Sequence, residues 1–332
     1  NIKSESNNTS NSAIYVGGAT VIVNAGNVTA ITNSPDGNPS GNNGANAYAF
    51  EVHGGNLQVN GGNIRADGNS LSGSRRAVYM YDGKTTLNGG NYVVTHSTVE
   101  GVNNPTYPTS YVASLGRYQS GFEHHSVSLT ITGGTYNVSS QKTAYGVYND
   151  YSNQDFSFIM SNGDMTITAP SAYGVRSGVN TISGGSINVV ATTTGYGIDS
   201  GSNTITGGKI HATTYGIYAG TTTLGSNDDT INISNPEIVG DAYALYQGTV
   251  NFYDGVLKGK VGDYTTDAIK AIPDGAIYHK EVIDEYHNCW LEQGENYLEV
   301  NGVEYNSMTK AYEAVTAEAG TIKVIASIVS EA

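Results

Sequence analysis

The hydrophobic pattern of the chain is dominated by one unit that recurs nine times with variation. Its clearest copy reads A-Y-G-V-R (172–176), a short turn, and then T-I-S-G-G-S-I-N-V (181–189). Apolar and polar residues alternate with period two, which predicts short strands with one buried face. With Tyr173 as position zero, the equivalent residues are Ile14, Tyr48, Val78, Phe122, Tyr145, Tyr196, Tyr215 and Tyr243.

The same alternation predicts which other positions face the core. Position two, predicted to be buried together with position zero, holds Val16, Phe50, Met80, His124, Val147, Val175, Ile198, Ile217 and Leu245. A second buried row holds Val23, Val59, Leu87, Ile131, Met160, Ile182, Ile205, Ile233 and Phe252. A third row, five residues further on, holds Val28, Ile64, Tyr92, Tyr136, Met165, Ile187, Ile210, Ile238 and Leu257.

A tight corner separates the second and third rows. Its first residue is Gly, Asn or Asp in every copy except the one with Ala25. These residue types tolerate positive φ, so we expect a left-handed residue at this first position.

The spacing of the copies restricts the fold. Successive copies lie 19 to 44 residues apart, and the longest interval contains the segment 98–119, predicted to be a loop. A unit of 19 residues cannot supply the four antiparallel strands of a propeller blade, and the leucine and asparagine pattern of leucine-rich repeats is absent. The sequence therefore predicts an all-β parallel β-helix, or β-solenoid, of about nine coils over residues 1–259.

The repeat gives way to a different pattern after residue 259. Residues 260–299 carry dense charge and the one tryptophan, and we expect them to close the last coil, whose strand edges would otherwise be exposed. Residues 300–332 predict a small α/β tail of strand, helix and strand. Ser307 is the expected N-cap of a helix from Met308 to Ala317, in which Met308, Ala311, Tyr312 and Val315 share a face.

The tail and the repeats together resemble a known family. The strings N-G-V-E-Y (301–305), M-T-K-A-Y-E-A (308–314) and G-T-I-K-V-I (320–325) resemble the opening of a pectate-lyase-like β-helix module. Such modules occur in tandem in large surface proteins of Gram-positive, Clostridia-type bacteria. The A-Y-G-V coils resemble their bodies, and residues 258–298 resemble their closing segment. The resemblance implies a right-handed helix, export, an adhesin-like role on the cell surface, and contact with neighbouring modules of the same polypeptide. It supplies no catalytic residues, and it implies that residues 300–332 begin the next module.

Composition and charge exclude several classes of partner. The net charge is −14 and charged residues make up only 13% of the chain, which disfavours nucleic acid and anionic membranes as partners. No apolar run approaches the roughly 18 residues of a membrane span, so membrane insertion is not expected. The single cysteine, Cys289, excludes an internal disulfide framework and is expected to be packed in the closing segment.

The predicted outward position, three residues after position zero, is the candidate binding surface. Its polar and aromatic members are expected to form a shallow groove for glycans or other molecules of a host or cell surface, since tyrosine combines an apolar ring with a polar hydroxyl. The alternative is that these aromatic residues only cover strand backbone. The candidate residues are Tyr81, Tyr148, Arg176, Asp199, Tyr218 and Tyr246.

An enzyme acting on polysaccharides, either a lyase or a glycoside hydrolase, is the alternative function. Hydrolysis needs two carboxylates about 5 to 9.5 Å apart, and Asp228 and Asp229 are adjacent aspartates without a nearby Arg or Lys. The same two residues are weak candidates for Ca²⁺, and no other cofactor is expected. Neighbouring residues on a strand point opposite ways, so His124 and His125 are not expected to share a metal. Threonine stripes suggest ice binding, but outward Tyr and Arg disfavour it.

Overall fold

The computed structural model describes residues 1–7, 9–33, 45–69, 72–97, 107–115, 126–149, 156–176, 178–228, 230–265 and 269–326. The fold over these residues is all-β. One sheet contains 26 strands that pair almost entirely in parallel, and a second sheet contains three strands packed with one helix. Phe122, His124, His125 and Asp229, which were discussed above, lie outside the described residues.

The first half of the chain contributes strands β1 to β14. In chain order they are β1 (Ile2–Asn7), β2 (Asn11–Val16), β3 (Thr20–Val23), β4 (Asn27–Asn33), β5 (Ala47–Val59), β6 (Asn63–Gly68), β7 (Ser72–Leu87), β8 (Asn91–His96), β9 (Tyr107–Leu115), β10 (Val127–Ile131), β11 (Thr135–Ser140), β12 (Thr143–Tyr148), β13 (Phe156–Met160) and β14 (Asp164–Arg176).

The second half contributes fifteen further strands and the helix. They are β15 (Val179–Ile198), β16 (Ser202–Ala212), β17 (Tyr215–Ile217), β18 (Thr221–Leu224), β19 (Glu237–Gly240), β20 (Tyr243–Leu245), β21 (Thr249–Phe252), β22 (Val256–Gly259), β23 (Gly262–Tyr264), β24 (Ile269–Ala271), β25 (Ala276–Ile283), β26 (Tyr286–Gln293), β27 (Leu298–Val300), β28 (Val303–Tyr305), α1 (Met308–Glu318) and β29 (Lys323–Val324).

The parallel pairings form three ladders, which the chain visits in the same order again and again. The longer strands turn corners and belong to more than one ladder. Ladder A contains β1, β4, β6, β8, β11, β14, β15, β16, β19 and β22. Ladder B contains β2, β5, β7, β9, β12, β14, β15, β17, β20 and β23. Ladder C contains β3, β5, β7, β10, β13, β15, β16, β18, β21 and β24.

The predicted third row is confirmed along the whole of ladder A. Val28 pairs with Ile64, and each following residue pairs with the next as far as Leu257. The second row is confirmed in ladder C except at one place, where Leu224 occupies the position predicted for Ile233. Ile233 lies in an inserted segment after β18 and is 53% exposed.

In every corner except the one at Asn235, a left-handed residue directly follows the predicted one. Gly61, Gly89 and Gly133 are not among the residues with positive φ, whereas the glycines directly after them are. The prediction for the first position was therefore wrong, and Ala25 needs no special explanation because Gly26 supplies the left-handed conformation (φ 104°).

The register of ladder B differs from the prediction in three of its first four levels, the exception being the level of Tyr48 and Phe50. Ile14 pairs with Phe50, Phe50 with Val78, and Val78 with Ala113, so Ile14 and Val78 belong to position two. Position zero there holds Ser12, Tyr48, Arg76 and Tyr111. The prediction was wrong because the period-two rule assigns an apolar residue to position zero, which favoured Val78 over Arg76. In addition, β9 lies inside the segment that was predicted to be a loop.

The tyrosines at position zero become less buried along ladder B. Tyr48 and Tyr145 are buried, as predicted, with 8% of each exposed, whereas the prediction was wrong for the later tyrosines. In the A-Y-G-V strands, positions one and two are buried, whereas Tyr173, Tyr196 and Tyr215 are only half-buried. The hydrophobic core contains Ala172 and Val175 from this motif but none of its tyrosines. The strands therefore place positions zero and three on the same outer side, and strict alternation fails at this motif.

The closing segment begins later than residue 259. Strands β23 and β24 still pair in parallel with β20 and β21. The antiparallel hairpin of β25 and β26 follows, and β26 pairs antiparallel with β22 at the end of ladder A. Cys289 is fully buried there, and its thiol donates to the Tyr278 hydroxyl at 2.7 Å, so it is a packed residue.

The tail forms a separate three-stranded sheet with α1. The helix prediction is confirmed to within one residue, and the Ser307 hydroxyl accepts a hydrogen bond from the Lys310 amide, as an N-cap does. Of the predicted buried face only Ala311 is fully buried, while Tyr312 is 63% exposed. Within the described ranges, no helix has the length and hydrophobicity that a membrane crossing requires.

Candidate functional site

The outer side of ladder B carries a continuous stack of aromatic and cationic side chains. We call it the tyrosine stack. Its members come from positions zero and three of successive levels, and neighbouring groups lie within contact distance from β5 to β20. They are Tyr48, Arg76, Tyr79, Tyr111, Tyr145, Tyr148, Tyr173, Arg176, Tyr196, Tyr215, Tyr218, Tyr243 and Tyr246.

The sequence builds this stack by repeating one residue type in one register. Tyr145 pairs with Tyr173, and their ring centroids are 5.0 Å apart at an interplanar angle of 13°. This separation follows from the spacing of roughly 4.8 Å between neighbouring strands. Within one level, positions zero and three also touch, since the rings of Tyr145 and Tyr148 are 4.5 Å apart.

The rings cover each other's faces along most of the stack. The rings of Tyr196 and Tyr218 are stacked and nearly parallel, with an interplanar angle of 4° and a centroid distance of 4.5 Å. Tyr215 and Tyr246 repeat this arrangement one level later at 4.1 Å and 13°. Other contacts are tilted, such as that of Tyr145 with Tyr148 at 48°, and the contact of Tyr173 with Tyr196 is edge-on, at 82°. The stack therefore presents mainly ring edges and phenol hydroxyls to solvent.

Two arginines are integrated into the stack. The guanidinium of Arg76 lies 4.5 Å from the ring centroid of Tyr79 and 4.8 Å from that of Tyr111, and it donates to the Tyr48 hydroxyl at 3.2 Å. Such cation–π contacts are typical of arginine beside tyrosine.

Arg176 occupies position three in the middle of the stack. Its guanidinium donates to the Tyr145 hydroxyl at 3.2 Å and pairs with the Asp199 carboxylate at 3.0 Å. Both arginines are thus bonded inside the stack. Arg176 is paired with a carboxylate, whereas the contacts of Arg76 described above are to neutral tyrosines and leave its positive charge.

The electrostatic character of the stack is neutral and polar. Burial raises the pKa of Tyr48 and Tyr145 to about 12, although the neighbouring arginines act in the opposite direction. Burial likewise raises the pKa of Tyr196 to about 12. Burial also raises the pKa of Asp199, against the effect of Arg176. These phenols therefore remain protonated and can both donate and accept hydrogen bonds.

The structure brings most of the predicted site residues together. Tyr148, Arg176, Tyr218 and Tyr246 are members of the stack, and Asp199 is bonded to it through Arg176. Tyr81 is not at position three, because the register of β7 gives that position to Tyr79. Tyr81 lies beside the stack, with its ring 4.7 Å from that of Tyr79 and 3.9 Å from that of His53.

Sequence reasoning missed the tyrosines at position zero. They were predicted to be buried because an aromatic residue two positions before an aliphatic one fits a period-two strand. The signal that could have found them is the identity of the residue: five successive copies, from Tyr145 to Tyr243, use tyrosine where an aliphatic residue would suit a core.

The weak metal candidates have other contacts. The Asp228 carboxylate accepts hydrogen bonds from the Thr230 amide and hydroxyl, both at 2.9 Å, and these bonds lower its pKa. Asp229 is outside the described residues. In the part of the chain that the structure describes, no three His, Cys, Asp or Glu side chains are arranged to hold a metal ion.

Comparison with known proteins adds no relative. No family model, no curated protein and no solved structure matches this chain.

Proposed function

We propose that this chain is a non-catalytic, extracellular module of a bacterial surface protein, and that it binds a linear, neutral glycan along the tyrosine stack. In this role it presents the stack on a rigid rod, so that it acts as an adhesin-like scaffold between the cell and a glycan-covered surface. Neighbouring modules of the same polypeptide are its other proposed partners.

The proposal includes a finer description of the fold. We propose that the three parallel ladders wind as a right-handed parallel β-helix. Support comes from the order A, B, C in which the chain visits the ladders, and from the pairing of each strand with its counterpart one level away. A regular winding of this kind keeps equivalent side chains at a spacing of roughly 4.8 Å, which suits a ligand with a repeating structure.

The observation that carries the proposal is a group of three free phenols. The hydroxyls of Tyr173, Tyr196 and Tyr218 take part in no hydrogen bond within the described residues, although all three side chains are half-buried in the stack. Phenol groups that are fixed in position and unbonded offer hydrogen bonds at little entropic cost. A polyhydroxylated chain has matching donors and acceptors at each sugar unit.

The ligand is expected to be neutral and to lie on ring edges. Because the ring faces cover each other, the stack offers little area on which a sugar could stack face-on. Beside Tyr173 and Tyr196, the charge of Arg176 is compensated by Asp199, so a uronate or sulfate group would gain little from it there.

A polysaccharide-degrading enzyme is the alternative, and the stack gives it little support. The carboxylate beside the stack is that of Asp199, and it forms an ion pair with Arg176. Glu51, at the start of ladder B, is bonded to Ser12 and to His53 at 2.9 Å. Both glycosidase mechanisms require a carboxyl group that is able to donate a proton to the leaving group. The same mechanisms need a second carboxyl group nearby, and the groups that act on Asp199 include no other carboxylate among the described residues.

The experiment removes hydroxyls and keeps the rings. The triple variant Tyr173→Phe, Tyr196→Phe, Tyr218→Phe is compared with the wild type by glycan array and by affinity electrophoresis in gels that contain neutral linear polysaccharides. Three lost hydrogen bonds at about 1 kcal/mol each weaken binding roughly a hundredfold. The matched control is Tyr136→Phe, which removes one buried hydroxyl of the core and should leave binding unchanged.

Two results would contradict the proposal. One is a folded triple variant that binds as tightly as the wild type. The other is a wild-type chain that no polysaccharide retards. Release of reducing ends or of unsaturated products from the same polysaccharides would favour the enzyme instead.

A further inference from the structure

We propose that a polar cleft on ladder A, next to the tip of the β25–β26 hairpin, is a second binding site, and that it takes a neutral oligosaccharide of two or three sugar units. This site is built from different residues than the tyrosine stack and does not depend on the function proposed for it. The cleft has a volume of about 650 Å³, within the range of small-ligand sites.

One part of the lining comes from outward residues of consecutive strands in ladder A. One row contains Asp164, Ser186, Lys209 and Glu237, which are paired in register. The row two residues further on contains Thr166, Asn188, His211, Val239 and Lys258. All nine side chains line the cleft.

The other part of the lining comes from the hairpin tip, which is fastened by Asp241. The Tyr286 hydroxyl donates to the Asp241 carboxylate at 3.0 Å, and the Lys260 ammonium lies 3.8 Å from the same oxygen. His211 reaches that oxygen at 3.5 Å from the ladder side. Asp284 and Glu285, both with positive φ, form the tight turn of the hairpin. The tip is therefore held in place by several contacts, so the cleft is largely formed without a ligand.

The charges of the cleft favour a neutral ligand. Glu237 lies between the ammonium groups of Lys209 and Lys258, at 2.8 and 2.7 Å, so the two lysines are already engaged. Asp164 and Asp284 add further negative charge to the lining. With Lys209 and Lys258 set against three carboxylates, the lining carries a net negative charge, which disfavours an anionic ligand such as a phosphate or a uronate.

Several polar groups of the cleft are available to a ligand. The Asp164 carboxylate and the hydroxyls of Thr166 and Ser186 make no side-chain hydrogen bond within the described residues. Asp164 and Thr166 lie two residues apart on β14, and Ser186 is the register partner of Asp164 on the adjacent strand, roughly 4.8 Å away. Beside them, Tyr286, Ile283 and Val239 contribute apolar surface. Donors and acceptors next to an aromatic ring and an aliphatic patch match a sugar, which has hydroxyls at its rim and C–H groups on its faces.

The test uses four neutral disaccharides: lactose, cellobiose, maltose and N,N′-diacetylchitobiose. Saturation-transfer NMR detects binding, and titration calorimetry measures it. We expect at least one of them to bind the wild type with a Kd of about 1 mM or tighter, and the double variant Asp164→Asn, Ser186→Ala to bind it at least tenfold more weakly. Ser202→Ala, an exposed hydroxyl position on ladder C, is the matched control and should bind like the wild type.

The tyrosine triple variant separates the two proposals. Binding that survives in that variant and is lost in the cleft variant supports the cleft. Binding that is lost in the tyrosine variant and survives in the cleft variant assigns the disaccharide to the stack and overturns the cleft site. Failure of all four disaccharides to bind the wild type overturns it as well, while polysaccharide binding by the stack is judged separately.

Discussion

The glycine of the A-Y-G-V motif offers a direct test of why this strand places two tyrosines per level on its outer side. Position one of the motif is buried, and it holds glycine in four successive levels: Gly146, Gly174, Gly197 and Gly216. None of these four has positive φ, so their backbone conformation alone does not require glycine. We propose steric exclusion as the reason, and Gly216→Ala as the perturbation.

The expected cost follows from the space around Gly216. A Cβ atom added there would lie 2.6 Å from the Ile238 Cγ2 atom and 2.7 Å from the Ala244 carbonyl oxygen. Side-chain carbons do not approach other heavy atoms so closely, and a carbonyl oxygen of the neighbouring strand cannot move without disturbing its own level. Overpacking of a dense core costs about 1 to 3 kcal/mol, and we expect a value near the upper end, about 3 kcal/mol.

Urea unfolding followed by circular dichroism measures this change, and a thermal melt should show a decrease of about 4 °C for a chain of this length. The matched control is Thr193→Ala, an exposed position on β15 that should change the free energy of unfolding by less than about 0.5 kcal/mol. If Gly216→Ala unfolds within 0.5 kcal/mol of the wild type, steric exclusion is not what selects glycine at this position.

Two further predictions concern other parts of the fold. Burial raises the pKa of Tyr48 and Tyr145 to about 12 from an unfolded value near 10. Between these pH values the folded state retains protons that the unfolded state loses. The stability that these phenols contribute is therefore complete below pH 10 and is lost as pH rises towards 12. The free energy of unfolding, measured by urea titration at several pH values, should decrease over this window by up to about 1.4 kcal/mol per pH unit for each tyrosine, and less steeply in Tyr48→Phe and Tyr145→Phe. A free energy that stays constant up to about pH 11 would refute this prediction. Ser307→Ala removes the N-cap of α1 and should lower the stability of the helix by about 1 kcal/mol, measured as faster amide exchange confined to residues 308–318. The control is Glu313→Ala, on the exposed side of the helix. Equal exchange in both variants would contradict the role of the cap.

The register of ladder A from β4 to β22 could be predicted because its connection to ladder C is a tight corner at every level except the one with the insertion after β18. The two rows are separated by five residues at nearly every level, since the corner between them is as tight as the backbone allows. A Cβ atom at Gly185, the left-handed residue of one such corner, would lie 2.6 Å from the Gly163 carbonyl oxygen of the preceding level. A corner packed this closely on its neighbour keeps its length, so the sequence shows the register directly.

Ladder B could be predicted in its second half and at the level of Tyr48, but not at the other three levels of its first half. The segments before and after its strands vary in length, so nothing in the sequence fixes the register except the residues themselves. Where those residues spell A-Y-G-V the register was found, and where position zero holds Ser12 or Arg76 it was not. The candidate site was affected in the same way, because Tyr79 rather than Tyr81 completes the stack at that level.

The cleft was beyond sequence reasoning for a different reason. Its two parts are 60 or more residues apart for most of their members, and they meet only because β26 turns back onto β22 in antiparallel pairing. Periodicity predicts which residues of ladder A point outward. It cannot predict that a hairpin after the last repeat will lie beside them.

The position of the tyrosine stack can be explained by the packing of ladder A. Gly174 and Gly216 place bare backbone against Ile187 and Ile238, whose methyl groups occupy the space that a side chain at position one would need. Positions one and two are then both buried, and positions zero and three both lie outside. Two side chains per level on one surface are therefore a consequence of how the core is filled. The core explains where the rings lie but makes no use of their free hydroxyls. The Tyr→Phe variants change only those hydroxyls, so they separate what the fold requires from what a ligand would require.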